Sequence, residues 1–144
     1  MATDIHRAAA PAGFAYAAHL LLGSFPFAFF SFALVTDIVY WKTANLMWQY
    51  FSIWLITAAL VMGALAVLAG LIDFALDRGQ RARRGAWLHF AVTVAALLLG
   101  LLNAFVHSRD GWTAVVPQGI ILSALVVLLM IAGGALGAWA ERTA

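Results

Sequence analysis

Cysteine is absent from all 144 residues, which excludes disulfides, c-type haem attachment and thiolate metal sites. Charge is almost as scarce. Charged residues make up 10% of the chain, against about 25% in an ordinary soluble domain, so a water-facing surface cannot be assembled all round. Proline occurs three times, and long polar stretches are missing, so no soluble catalytic domain is expected. What remains is apolar. The chain is 65% hydrophobic with a mean hydropathy of +0.98, the composition of an integral membrane protein.

Four apolar runs, approximately 14–40, 50–76, 86–107 and 118–140, each reach the ~20 residues needed to cross the hydrocarbon core. The first is too long for the apolar region of a signal peptide and lacks a small-residue cleavage site behind it, so it counts as a span. The fold class expected is all-α: one transmembrane domain over 1–144, an up-down four-helix bundle. Of the eight basic residues, Arg7, Arg78, Arg81, Arg83, Arg84 and Arg142 fall on the side of both termini and the second loop, and only Lys42 and Arg109 on the other. The excess of basic residues marks the cytoplasmic side. Both termini are therefore expected in the cytoplasm, with the protein in a bacterial-type inner (plasma) membrane. The run RGQRARR suits anionic lipid headgroups, and nothing beyond it points to nucleic acid. Trp41, Trp48, Trp87, Trp112 and Trp139 fall near the expected interfaces, where amphipathic rings anchor helices.

The few polar residues inside these runs are spaced in a regular way. His19 is followed eighteen residues later by Asp37, and His89 eighteen residues later by His107. Eighteen residues at ~100° each complete whole turns, so each pair shares one helix face, ~27 Å apart. The stripe on the first helix reads His19, Gly23, Pro26, Phe30, Ala33, Asp37, and that on the third His89, Thr93, Ala96, Gly100, Asn103, His107. Pro26 removes a backbone hydrogen bond and leaves a carbonyl for Ser24 or a neighbouring helix to satisfy. Pro117 suits the first turn of the fourth helix. Glycines 63 and 70, with 133, 134 and 137, are small residues at helix-packing spacing, and their ordinary meaning is close helix contact.

Ionisable groups are expensive in a bilayer and mark functional positions. His19 and His89 lie at equal depth on helices expected to face each other diagonally, the arrangement that a six-coordinate haem b requires. Gly23, Ala96 and Gly100 would make room for the porphyrin, and Arg81, Arg83 or Arg84 would meet its propionates. Interfacial histidines bonded to carbonyls or water are the structural alternative. Asp73, at the end of the second helix, would orient an imidazole or pair with Arg78 or Arg84, and a non-haem metal site of His19, Asp73 and His89 is a further option. Near the opposite surface, Asp37, Asn103 and His107 form either a quinone and proton site or a plain interhelical bond.

The sequence from His19 through Gly23, Ser24, Phe25 and Pro26 to Ala28, followed by Asp37, resembles the opening HP-x-x-x-H-FP-x-A…D of the Domain of Unknown Function 2231 family of membrane proteins. The resemblance continues through Gly70-Leu-Ile-Asp73, Arg83 and Arg84 before His89, Asn103, and Gly133-Gly-Ala-Leu-Gly137. It covers nearly the whole chain and implies four membrane helices and a set of important positions, without an established reaction. Leu20 and Ser24 stand where the family pattern has a proline and a second histidine.

The function expected from the histidine geometry is that of a small multi-pass cytochrome b-like subunit. It would pass electrons through one haem b within a larger membrane redox complex, coupled to quinone, rather than act as a complete enzyme. A cofactor-free accessory or assembly subunit, docking on other membrane subunits through its glycine faces, is the rival reading. A transporter or channel is the third, with Pro26 and the Asn103 region as its only hints.

Overall fold

The computed structural model describes residues 14–76 and 84–142. Among these, four helices are long and apolar enough to cross a membrane: α1 (Phe14–Thr43), α2 (Leu46–Leu76), α3 (Arg84–His107) and α4 (Gln118–Arg142). The helices are apolar on every side, as lipid-embedded helices must be. Phe32, Trp54, Leu98, Phe105 and Leu128 are each more than 60% exposed on their outer faces. On a soluble protein such a belt would drive aggregation; in a bilayer it meets acyl chains. Asp77, Arg78, Arg81 and Arg83 of the second loop, the tail with His6 and Arg7, and the Arg84 side chain lie outside the described part.

Each helix turns one narrow stripe inward. On α2 the buried positions are Gln49, Ser52, Ile56, Ala59, Gly63 and Ala66, and on α1 they include Pro26, Phe30, Ala33, Asp37 and Tyr40. The alternating steps of three and four are those of helices packed side by side at a shallow angle. α1 packs most extensively on α2 and also on α4, while α3 packs on α4 and α2. Phe30, Ile56, Ala59 and Val126 form the central apolar layer. Glycine makes that layer possible at two points. A Cβ on Gly100 would lie 2.6 Å from Phe30 Cζ, and one on Gly63 would collide with Leu97.

The helices run further than the apolar pattern alone shows. α1 continues to Thr43 and α2 begins at Leu46, leaving a two-residue link where hydropathy placed a loop of roughly nine. Ala44 takes φ 53°, and its N–H bonds Tyr40 O at 2.7 Å. Asn45 Oδ1 then accepts the N–H of Met47 at 3.0 Å. A left-handed residue closing one helix and an Asn cap opening the next are local polar devices that hydropathy does not register. The third loop is also ordered, with a 3-10 turn at Gly111–Ala114 that buries Ala114 and Val115 beside Tyr40. Pro117 immediately precedes α4 and its carbonyl accepts the N–H of Ile121. Ser24 does not reach the carbonyl that Pro26 frees, that of Leu22; its hydroxyl bonds Leu21 O at 2.7 Å instead.

Candidate functional site

Two polar sites lie at opposite ends of the bundle, separated by the Phe30–Val126 layer. The first surrounds His19 and His89. Their rings come within 6.1 Å, centroid to centroid, with planes at 89°, although α1 and α3 make little backbone contact. His19 Nδ1 bonds Ala66 O at 2.9 Å, and His89 Nδ1 bonds Gly133 O at 2.8 Å. A carbonyl only accepts, so each Nδ1 carries the proton and each Nε2 keeps its lone pair. No described residue bonds either Nε2.

The two histidines are held by the same device. His19 lies against Gly70, four residues beyond its carbonyl partner Ala66, and His89 lies against Gly137, four residues beyond Gly133. A Cβ on Gly70 would lie 2.8 Å from His19 Nδ1, and a Cβ on Gly137 3.1 Å from His89 Nδ1. A residue one turn back supplies the acceptor and the glycine supplies the space for the ring. Each histidine is thus fixed by the helix next to its own in sequence. The equal His-to-polar spacing of α1 and α3 therefore extends to their partner helices, α2 and α4.

Between these walls lies a cleft of about 980 Å³, lined by His19, Gly23, Pro26, Asp73, His89, Thr93 and Gly134 among others. Gly23 and Gly134 face open space, with nothing within 4 Å of a Cβ built on either. Of the residues expected to make room for a cofactor, Gly23 lines the cleft and Gly100 does not. Gly100 and Ala96 lie deeper, where Phe30 fills the space over Gly100. Asp73 lines the cleft but does not orient the Nδ1 of either histidine, because backbone carbonyls already hold both. Among the described residues no three His, Asp or Glu side chains converge as metal ligands, so the non-haem site of His19, Asp73 and His89 is not formed.

The second site is fully enclosed. Asp37 and His107 are 0% exposed, and His107 Nε2 lies 2.9 Å from Asp37 Oδ1. Ser123 donates to Asp37 Oδ2 at 2.6 Å, Asn103 Nδ2 donates to Ser123 Oγ at 2.8 Å, and His107 Nδ1 bonds Asn103 O at 3.0 Å. Thr36, the residue before Asp37, shares a bond of 2.7 Å with Ser52. Gly119 gives His107 its place: a Cβ there would meet His107 Cε1 and Ala114 O, each at 2.8 Å.

Asp37, Asn103 and His107 were legible from spacing; Ser52, Ser123 and Gln49 were not. Their signal lies in register. Ser123 falls on the stripe Gly119, Ser123, Val126, Met130, Gly133, and Gln49 and Ser52 open the buried stripe of α2. A polar side chain in phase with small residues on an apolar helix is turned inward.

No match was found among curated proteins or solved structures. A family model described as "Predicted membrane protein (DUF2231)" matches residues 15–143, and the chain belongs to that family.

Proposed function

We propose that this DUF2231 membrane protein is a cytochrome b-type electron-transfer subunit of a plasma-membrane redox complex, with His19 and His89 as axial ligands of one haem b. The observation that carries the reading is the matched pair of histidines, each with Nδ1–H on a backbone carbonyl and with Nε2, at the wall of a cleft, bonded by no described residue. A carbonyl on one ring nitrogen orients the ring, fixes the tautomer and strengthens the other nitrogen as a ligand. The two rings, 6.1 Å apart between centroids, are close enough that both imidazoles would hold one haem iron between them. The cleft, at about 980 Å³, is at the upper end of the ~300–1,000 Å³ of small-molecule sites. Open space over Gly23 and Gly134 suits a flat macrocycle.

When bound, the haem would supply one-electron chemistry. This chain contributes the ligand nitrogens and an apolar wall that includes Phe27, Leu97 and Met130. An up-down arrangement with both termini cytoplasmic fits the reading. Its support is the pairing of His19 with Gly70 and of Thr36 with Ser52, together with the concentration of arginine near the second loop. The rival accessory-subunit reading relied on glycine faces for docking, but Gly63, Gly70, Gly133 and Gly137 are taken up by contacts within the chain, and Gly134, the one left open on those faces, borders the cleft.

The test is a reduced-minus-oxidised visible spectrum of protein produced with ample haem, beside His19→Ala and His89→Ala. A bis-histidine α-band, lost in both variants, is the expected result. A wild-type protein without a Soret band rejects the assignment.

A further inference from the structure

The Asp37–His107 network contains one proton that its geometry leaves undivided. His107 sits between two acceptors: Asn103 O faces Nδ1 and Asp37 Oδ1 faces Nε2. Nδ1 therefore keeps its hydrogen. The proton between Nε2 and Oδ1 belongs either to an imidazolium facing a carboxylate or to a carboxylic acid facing a neutral imidazole, and the pair is neutral in both forms. Ser123 stabilises the first by donating to Oδ2. With that proton in place, the two facing atoms, 2.9 Å apart and fully buried, are satisfied by one another, as buried polar groups must be.

A vestibule reaches the wall of this enclosed site. About 300 Å³ in volume and set between the start of α2 and the end of α3, it is lined by Leu46, Gln49, Ile53, His107, Arg109 and Asp110. Gln49 is only 4% exposed; its Nε2 donates to Arg109 O at 3.4 Å, while its Oε1 has no partner. Asn103 Oδ1, inside the network, is the other such acceptor among the described residues. An unpaired buried acceptor at a polar opening, as Gln49 Oε1 is, is a place where water donates.

We propose that the Gln49 vestibule is a proton port, through which the shared proton of Asp37 and His107 exchanges with the aqueous phase at this end of the bundle. The ligand is the proton itself. Exchange takes one proton from water onto the Asp37–His107 pair as the resident proton departs to water, so charge and atoms balance. The groups around the pair that could compete for it are few. α1 carries Tyr40 and Lys42, α2 carries Tyr50, the loop after α3 carries Arg109 and Asp110, and α4 brings only uncharged Gln118 and Ser123. Lys42 lies over the Trp41 ring and Arg109 bonds Gln118 Oε1; of the groups named, only the uncharged Ser123 bonds the pair. The inference rests on this network alone and stands whether or not His19 and His89 hold haem.

The experiment follows the infrared signature of the Asp37–His107 pair in the full chain after transfer into D2O, with Asp37→Asn to assign the band. The expected result is a band that shifts on deuteration in the wild type and is missing from Asp37→Asn. In Gln49→Leu and the closer-sized Gln49→Met it should shift roughly five- to tenfold more slowly, the factor for removing one hydrogen-bonding partner of the incoming water. A band that never responds to D2O, or one that shifts at the wild-type rate in both Gln49 variants, overturns the proposal.

Discussion

Adding one methyl group at each of three glycines separates the role of the His19 cleft from that of the packed central layer. At Gly70 the new Cβ would lie 2.8 Å from His19 Nδ1 and 3.0 Å from Cε1, well inside the ~3.5–4.0 Å of ordinary contact. Something must move, and the imidazole is the softer part, because it is half-buried and borders the open cleft. A retreat of roughly 0.7 Å takes Nδ1 beyond hydrogen-bond range of Ala66 O. The bond lost is worth about 1 kcal/mol, and the gain from replacing glycine in a helix is of similar size, about 1 kcal/mol. Gly70→Ala should therefore change stability by less than about 1 kcal/mol. It should nevertheless free the His19 tautomer and weaken haem binding ~10–100-fold, the usual cost of losing a ligand's orienting partner. At Gly100 the same methyl meets Phe30, which is 1% exposed and has nowhere to go, so Gly100→Ala should cost about 1–3 kcal/mol by overpacking. Gly23→Ala meets nothing and should fold as the wild type does. Unfolding curves in detergent, histidine ring nitrogen resonances and haem titration read the three effects separately. If Gly70→Ala keeps the wild-type His19 tautomer, or destabilises as much as Gly100→Ala, the account of a carbonyl-held ligand is wrong.

His107→Ala strands the Asp37 carboxylate without its partner, so unfolding experiments should show a loss of about 3–5 kcal/mol; Asp37→Asn, which removes the charge, should lose less. Gly119→Ala presses on a backbone oxygen and on a buried imidazole that cannot retreat, and about 1–3 kcal/mol of destabilisation is expected from the same assay. Ala44→Gly relieves a non-glycine residue held at φ 53° and should raise the melting temperature, consistent with about 1 kcal/mol of stabilisation. Reporter fusions after Arg142 should be active in the cytoplasm, and exchanging the basic residues of RGQRARR for glutamine should weaken that orientation.

Membrane location and four spans were legible in composition because the bilayer imposes its length and polarity on every residue of a span. The shared faces of α1 and α3 were legible as well, since helical periodicity is a property of one chain segment: His19, Asp37, His89 and His107 could be put in register before any contact was known. What local pattern could not supply was the partner of each group. That His19 and His89 turn their Nδ1 atoms to Ala66 and Gly133, that Gly100 lies under Phe30 rather than on the cleft, and that Ser123 from α4 completes the Asp37 network all depend on how four helices are rotated against one another. That rotation is set by side-chain packing over the whole bundle. Sequence alone determined which residues could meet, and only the tertiary structure decided which did, because a hydrogen bond needs its partner within about 3 Å and hydropathy has no term for distance.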